Sequence, residues 1–241
     1  MTIKNTLLNF FLYLRNPKVP QSNKSVITIK SFCILFIFSM CVNFILGLTS
    51  DNESLIKILK IKDSHFFEDD LLKKGIVLAI LLVGIITPLI EEYLQRYNLT
   101  SFIWNYRIMP FNLCIIIIQL FHIRTTTELL IIFNIGLFVS IFFNTCILKS
   151  KKYKIHLLRF YIKNFWLFFY SSAVAFGALH IGNNQIENFL PILPVLLVLP
   201  QIFTGLLLGY IRISMGLRWS ILYHGLHNSF LVALLFLFPN F

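Results

Sequence analysis

Two adjacent carboxylates and a guanidinium, Glu91, Glu92 and Arg96, stand directly behind a largely apolar run from Gly75 to Ile90. Ionised side chains in hydrocarbon cost about 2.5 kcal/mol or more each unless paired, so such a cluster reads as functional by default. On a helix Glu92 and Arg96 are four apart on one face, with the acid first, the better order for an ion pair. Glu91 lies about 100° round the same helix and does not compete for that partner. The pattern predicts that Glu92 and Arg96 hold the helix in place while Glu91 is left for chemistry. The plainer alternative is that both acids cap a span at the water interface.

Two further stretches carry polar groups in apolar surroundings. Phe176 and His180 are four apart, with Gly177 and Ala178 between them thinning the helix for a neighbour. Taken alone, His180 reads as a packing histidine. Farther on, His224 and Asn228 share a helical face, and His227 lies about 60° from His224. Three imidazoles, an amide and two carboxylates exceed what a passive apolar bundle should tolerate. Glu91 and His180 suit activation of a water molecule, the carboxylate taking its proton. His224 and Asn228 can donate hydrogen bonds to the oxyanion that forms when a carbonyl is attacked. The reaction class is amide hydrolysis. Ser171, Ser172 and Ser220 lie nearby, but none sits in a Gly-x-Ser-x-Gly setting. HExxH is absent, since no histidine is followed by glutamate, and so is Gly-x-Gly-Asp.

The elements that must position these groups are membrane helices. The chain has 241 residues, is 57% hydrophobic and only 13% charged, and has a mean hydropathy of +0.79, too apolar for an ordinary soluble domain. The fold class is all-α, a polytopic bundle of about seven to eight helices with the site buried between them. The net charge of +11 comes from basic residues clustered between apolar runs, where lipid headgroups and orientation account for them, and nucleic acid is set aside. Cys33, Cys41, Cys114 and Cys146 all lie in apolar runs without metal-ligand spacing and read as small core hydrophobes. The first apolar run begins far behind the usual signal-peptide position, so the N-terminus is expected to stay on the mature protein.

Residues 1–30 carry five basic residues and no acid, and Leu7 to Leu14 suggests a short helix lying on the membrane, its N-terminus cytoplasmic. Residues 31–74 comprise a first span, Ser31 to Leu48, and a polar loop of mixed charge. Residues 75–241 form the core, with spans expected at Gly75 to Ile90, Met109 to Phe121, Leu129 to Leu148, Phe165 to Ile181, Phe189 to Tyr210 and Trp219 to Phe238. The stretch Lys149 to Lys163, with six basic residues and no acid, is the strongest cytoplasmic signal. Pro191, Pro194 and Pro200 are expected to kink or delay the sixth span, and Gly205-xxx-Gly209 offers a face for close helix approach. No internal repeat of the transporter kind is present. Hydropathy alone puts Glu91 near the inner edge and His180 about 24 Å deep, too far apart to meet. Their meeting requires the second helix to run on towards Trp104 and the fifth past Gly182.

Together the three stretches resemble the CPBP family of intramembrane proteases, the CAAX proteases and bacteriocin-processing enzymes also called the abortive-infection family. Its pattern is EExxxR, then FxxxH, then HxxxN, here Glu91-Glu92-xxx-Arg96, Phe176-xxx-His180 and His224-xxx-Asn228. Gly205, Gly209, Gly216 and Trp219 also look like the family's lead into its last motif. The resemblance covers Leu82 to Leu235 and implies an intramembrane endopeptidase. In it Glu91 with His180 would activate water, His224 with Asn228 would form the oxyanion site, and Glu92, Arg96 and Phe176 would support them. The family was long described as metalloproteases, and Glu91, His180 and His224 would be the ligands of a Zn²⁺, but the metal-free reading is favoured here. No role follows for His227 beyond packing. Gln95 and Tyr97 stand where the family commonly has Phe and Gly, which bears on substrate fit. The implied partners are a peptide or lipidated peptide, prenylated CAAX-type or bacteriocin-like, and membrane lipids. The implied location is a multi-pass position in the plasma membrane. The alternatives are a non-proteolytic immunity or scaffold protein of the same fold, and a proton-coupled carrier.

Overall fold

The computed structural model describes residues 2–19, 28–50, 71–101, 126–147, 149–183 and 193–238, with 106, 110, 113, 114, 117 and 118. Among them every regular element is helical, as the all-α expectation requires. The helices are α1 (Ile3–Arg15), α2 (Ile29–Ser50), α3 (Ile76–Arg96), α4 (Thr126–Phe142), α5 (Lys151–Lys163), α6 (Phe165–Leu179), α7 (Leu193–Leu197), α8 (Leu199–Met215) and α9 (Leu217–Leu237). The mixed-charge segment 51–70 and most of the span expected at Met109 to Phe121 lie outside the described residues.

Stretches of α2, α3 and α9 are long and apolar enough to cross a membrane, by length and composition. Leu130–Cys146 and Phe165–Leu179 are shorter apolar helices. Large apolar side chains point outward along these elements, among them Phe44 at 64% exposure, Val77 at 80% and Phe138 at 70%. Water would penalise such a surface heavily, and lipid does not.

Two expected boundaries move. The apolar run expected to end at Ile90 continues as helix to Arg96 and then through a 3₁₀ turn, Tyr97–Thr100, because Glu92 and Arg96 neutralise one another inside the bundle. The sixth apolar run breaks at Val198, where Pro200 starts a new helix, and α8 then runs past Tyr210 to Met215. Likewise α6 is prolonged by a 3₁₀ turn, His180–Asn183. These extensions remove the depth conflict between Glu91 and His180.

Small residues set the close approaches. A Cβ on Gly205 would stand 3.0 Å from Ala173 Cα, and one on Gly209 would stand 2.8 Å from the Phe169 ring, so α8 lies tightly along α6. On the other side of the bundle a Cβ on Gly225 would come within 2.6 Å of the Gly84 carbonyl oxygen, which presses α9 against α3. Between α8 and α9, Gly216 takes φ 103°, a left-handed value that disfavours any side chain, and turns the chain in one residue. Phe10, Leu35, Phe176, Leu207, Ile211 and Tyr223 form the main core, which ties α1 and α2 to α6, α8 and α9.

Candidate active site

The site begins with a break in α3. Residues Ile80–Ile86 form a π-helical segment, and the Thr87 N–H donates five residues back, to Leu82 O. The next donor in that register would be Pro88, which has no N–H, so the Val83 carbonyl loses its helical partner. Asn228 Nδ2 donates to it instead, at 3.0 Å. The amide of the HxxxN stretch therefore completes the backbone of the helix that carries the paired acids. One turn beyond Pro88, that helix presents Glu91 and Glu92.

Glu92 is fully buried and its carboxylate accepts from three sides. Arg96 Nη1 lies 2.6 Å from Oε1, His224 Nδ1 lies 3.1 Å from the same oxygen, and the Ser220 hydroxyl donates to Oε2. Arg96 is equally buried, and its guanidinium sits 4.3 Å over the Phe176 ring, a cation–π contact. That ring also meets His180 at 4.9 Å and His224 at 5.4 Å between centroids. Phe176 is thus the apolar hub on which the arginine and both histidines rest.

Glu91 turns inward. Its side chain keeps 20% exposure, while Oε2 is buried without a hydrogen-bond partner and lies 3.6 Å from His224 Nε2. His180 is within electrostatic range of Glu91, Arg96 and His224. Its Nδ1 lies 2.8 Å from Phe176 O. A carbonyl can only accept, so Nδ1 carries the proton and Nε2 is the accepting nitrogen of the neutral ring. The same reasoning puts a proton on His224 Nδ1, facing the Glu92 carboxylate. His224 therefore stands between the two acids, a nearer partner of Glu91 than the pairing by motif order suggests.

The backbone end of α3 is held as firmly. Arg212 Nε donates to Arg96 O at 3.2 Å and Nη2 to Thr100 Oγ1 at 2.5 Å. Ser172 donates to Gln95 O at 2.7 Å and Tyr161 to Leu99 O at 2.8 Å. Side chains from α5, α6 and α8 thus satisfy carbonyls left open at the helix terminus, where a guanidinium also opposes the dipole. Ser220 and Arg212 were not among the expected site residues. Ser220 was legible, since it precedes His224 by four and shares its face. Nothing local marks Arg212, whose partners lie on another helix.

His227 faces mainly away from this cluster, although Asn228 and His224 both lie within its reach. It is 5% exposed, and its Nε2 lies 2.9 Å from Asn43 Nδ2, which also donates to Thr204 Oγ1 at 2.8 Å. Among the described residues no three His, Cys, Asp or Glu side chains are grouped closely enough to hold a metal ion.

An ion-paired, histidine-bearing cluster enclosed by apolar helices defines the class: a helical membrane protein with a buried polar site. Residues 152–230 match the family model described as type II CAAX prenyl endopeptidase Rce1-like, which bears out the CPBP resemblance. The matched third of the chain carries Phe176, His180, His224 and Asn228. Glu91, Glu92 and Arg96 lie outside it and are joined to it by the contacts with His224 and Phe176. No curated protein and no solved structure matches the chain.

Proposed function

We propose that the chain is a multi-pass intramembrane endopeptidase, with a cytoplasmic N-terminus and a place in the plasma membrane, that hydrolyses a peptide bond of a membrane-associated substrate. The observation that carries this reading is the unpartnered, buried Glu91 Oε2 beside His224 Nε2 and within range of His180. Leaving a carboxylate oxygen unsatisfied in an apolar interior costs about 1 to 3 kcal/mol or more. A donor brought by water or substrate would relieve that cost.

In this reading water binds between Glu91 and His180, accepted by the carboxylate and by His180 Nε2. Glu91 takes its proton as the hydroxide oxygen attacks the carbonyl carbon. The oxyanion is met by Asn228 and by His224 when Nε2 carries a proton, and Glu91 then returns its proton to the leaving nitrogen. An amide carries two N–H groups, so one remains beyond the Val83 carbonyl. Glu92, Arg96, Ser220 and Phe176 act on the ring of His224 and on the pitch of α3. The reading routes no step through a metal. A CAAX-type prenylated peptide is the substrate class that the family match favours. Its lipid would lie in the bilayer while the scissile bond enters between α3, α6 and α9.

The experiment is identification by mass spectrometry of products from co-expressed prenylated and unprenylated candidate peptides. The expected result is a single cleaved bond with the wild type and none with Glu91→Ala at equal abundance. Cleavage that survives Glu91→Ala, or no product alongside a phenotype that this variant keeps, would favour a non-proteolytic scaffold.

A further inference from the structure

Helix α5 carries Lys152, His156, Arg159 and Lys163, spaced 4, 3, 4, which places all four on one stripe about 16 Å long. All four are exposed. The opposite face is fixed: Tyr161 is 2% exposed and donates to Leu99 O, while Leu157 O accepts from Tyr106 at 3.1 Å. The stripe therefore points directly away from the bundle. Its two shoulders are apolar and also exposed, Tyr153 at 56% and Phe160 at 49% on one side, Ile155 at 44% and Ile162 at 56% on the other. The sequence holds no acid between Glu128 and Glu187 to neutralise it.

Membrane orientation asks only for basic residues in a cytoplasmic segment, whatever face they occupy. It does not ask for a single stripe between apolar shoulders. We infer that α5 is a docking helix for the anionic headgroups of the bilayer. Three permanent cations and His156 grip phosphates, while Phe160, Tyr153, Ile155 and Ile162 sink into the interface beside them. Charge complementarity selects the occupant: an acidic surface flanked by hydrocarbon is what a leaflet of anionic lipid presents. Because Asn164 alone separates α5 from α6, and Tyr161 bonds the 3₁₀ turn that prolongs α3, the grip bears on two of the three helices that carry the candidate site. The inference needs only a membrane-embedded chain and stands apart from the cleavage reading.

The test is native mass spectrometry of the full-length protein in detergent, titrated with equal phosphatidylglycerol and phosphatidylcholine. The wild type should retain phosphatidylglycerol in preference. Lys152→Gln/Arg159→Gln/Lys163→Gln should lose that preference by roughly fivefold for each charge removed. Lys152→Arg/Lys163→Arg should keep it, as should the control Lys30→Gln/Lys73→Gln, with similar monodispersity throughout. Equal retention of the two lipids by the wild type would overturn the inference, and so would unchanged preference in the triple variant. Displacement of phosphatidylglycerol by an acidic peptide in the wild type alone would also overturn it, marking the stripe as a protein-docking surface.

Discussion

Helix α9 carries two buried histidines three residues apart, and they live in different chemistry. His224 stands between two carboxylates, with an arginine and a serine on the second of them. His227 meets a neutral amide from α2, itself hydrogen-bonded to a threonine of α8. Both are inaccessible and both join helices, so burial does not tell them apart. What differs is charge. The His227 node is built of neutral hydrogen-bonding groups, Asn43, Thr204 and the adjoining Asn228, as expected of a polar clasp between helices, with His224 in electrostatic range. The His224 node gathers ionised groups that apolar packing of the same volume would dispense with more cheaply.

That contrast can be broken most sharply at Glu91. Glu91→Gln should lower the cleavage rate by about 10² to 10⁴, the usual span for a general base, while abundance and thermal midpoint stay near wild type. A rate within a few fold of wild type would return Glu91 to the role of an interfacial acid. Arg96→Met is the next largest and acts on stability. It leaves the buried Glu92 carboxylate without its cation, at a cost of about 3 to 5 kcal/mol, read as a lowered unfolding midpoint in detergent. A midpoint shift under 1 °C would mean that the pair carries no such burden.

The polar node was partly legible in the sequence. Glu92 and Arg96 lie on one helical turn, and local spacing alone determined their contact. So too the face shared by Phe176 and His180. The carboxylate's remaining partners come from α9, 128 and 132 residues away, and no periodicity connects them. Asn228 shows the limit clearly. Its pairing with Val83 follows from the missing N–H of Pro88, but only once a π-helical turn has placed that carbonyl against α9. The Asn43 contact with His227, 184 residues apart, left no sequence signal. Hydropathy misjudged α3 because it counts Glu92 and Arg96 as separate charges, whereas in the bundle they form one neutral pair.

Smaller effects sharpen the comparison. Gly225→Ala sets a methyl against the Gly84 carbonyl and should destabilise by about 1 to 3 kcal/mol, with activity falling in step because Asn228 and His224 shift with α9. An unaltered midpoint would show that α3 and α9 yield freely at that contact. Smallest of all, Asn43→Ala removes one interhelical hydrogen bond to His227. About 0.6 kcal/mol, and no more than about 2, should be lost, with cleavage unchanged per folded molecule.

The measurement that bears most directly on the site is the cleavage rate of His224→Ala beside that of His227→Ala. Both should be purified in the same lipid nanodisc and normalised to folded protein. The two imidazoles separated here predict loss of most activity in the first and near wild-type turnover in the second. Equal rates in the two variants, whether both lost or both kept, would contradict a catalytic centre built on the carboxylate pair.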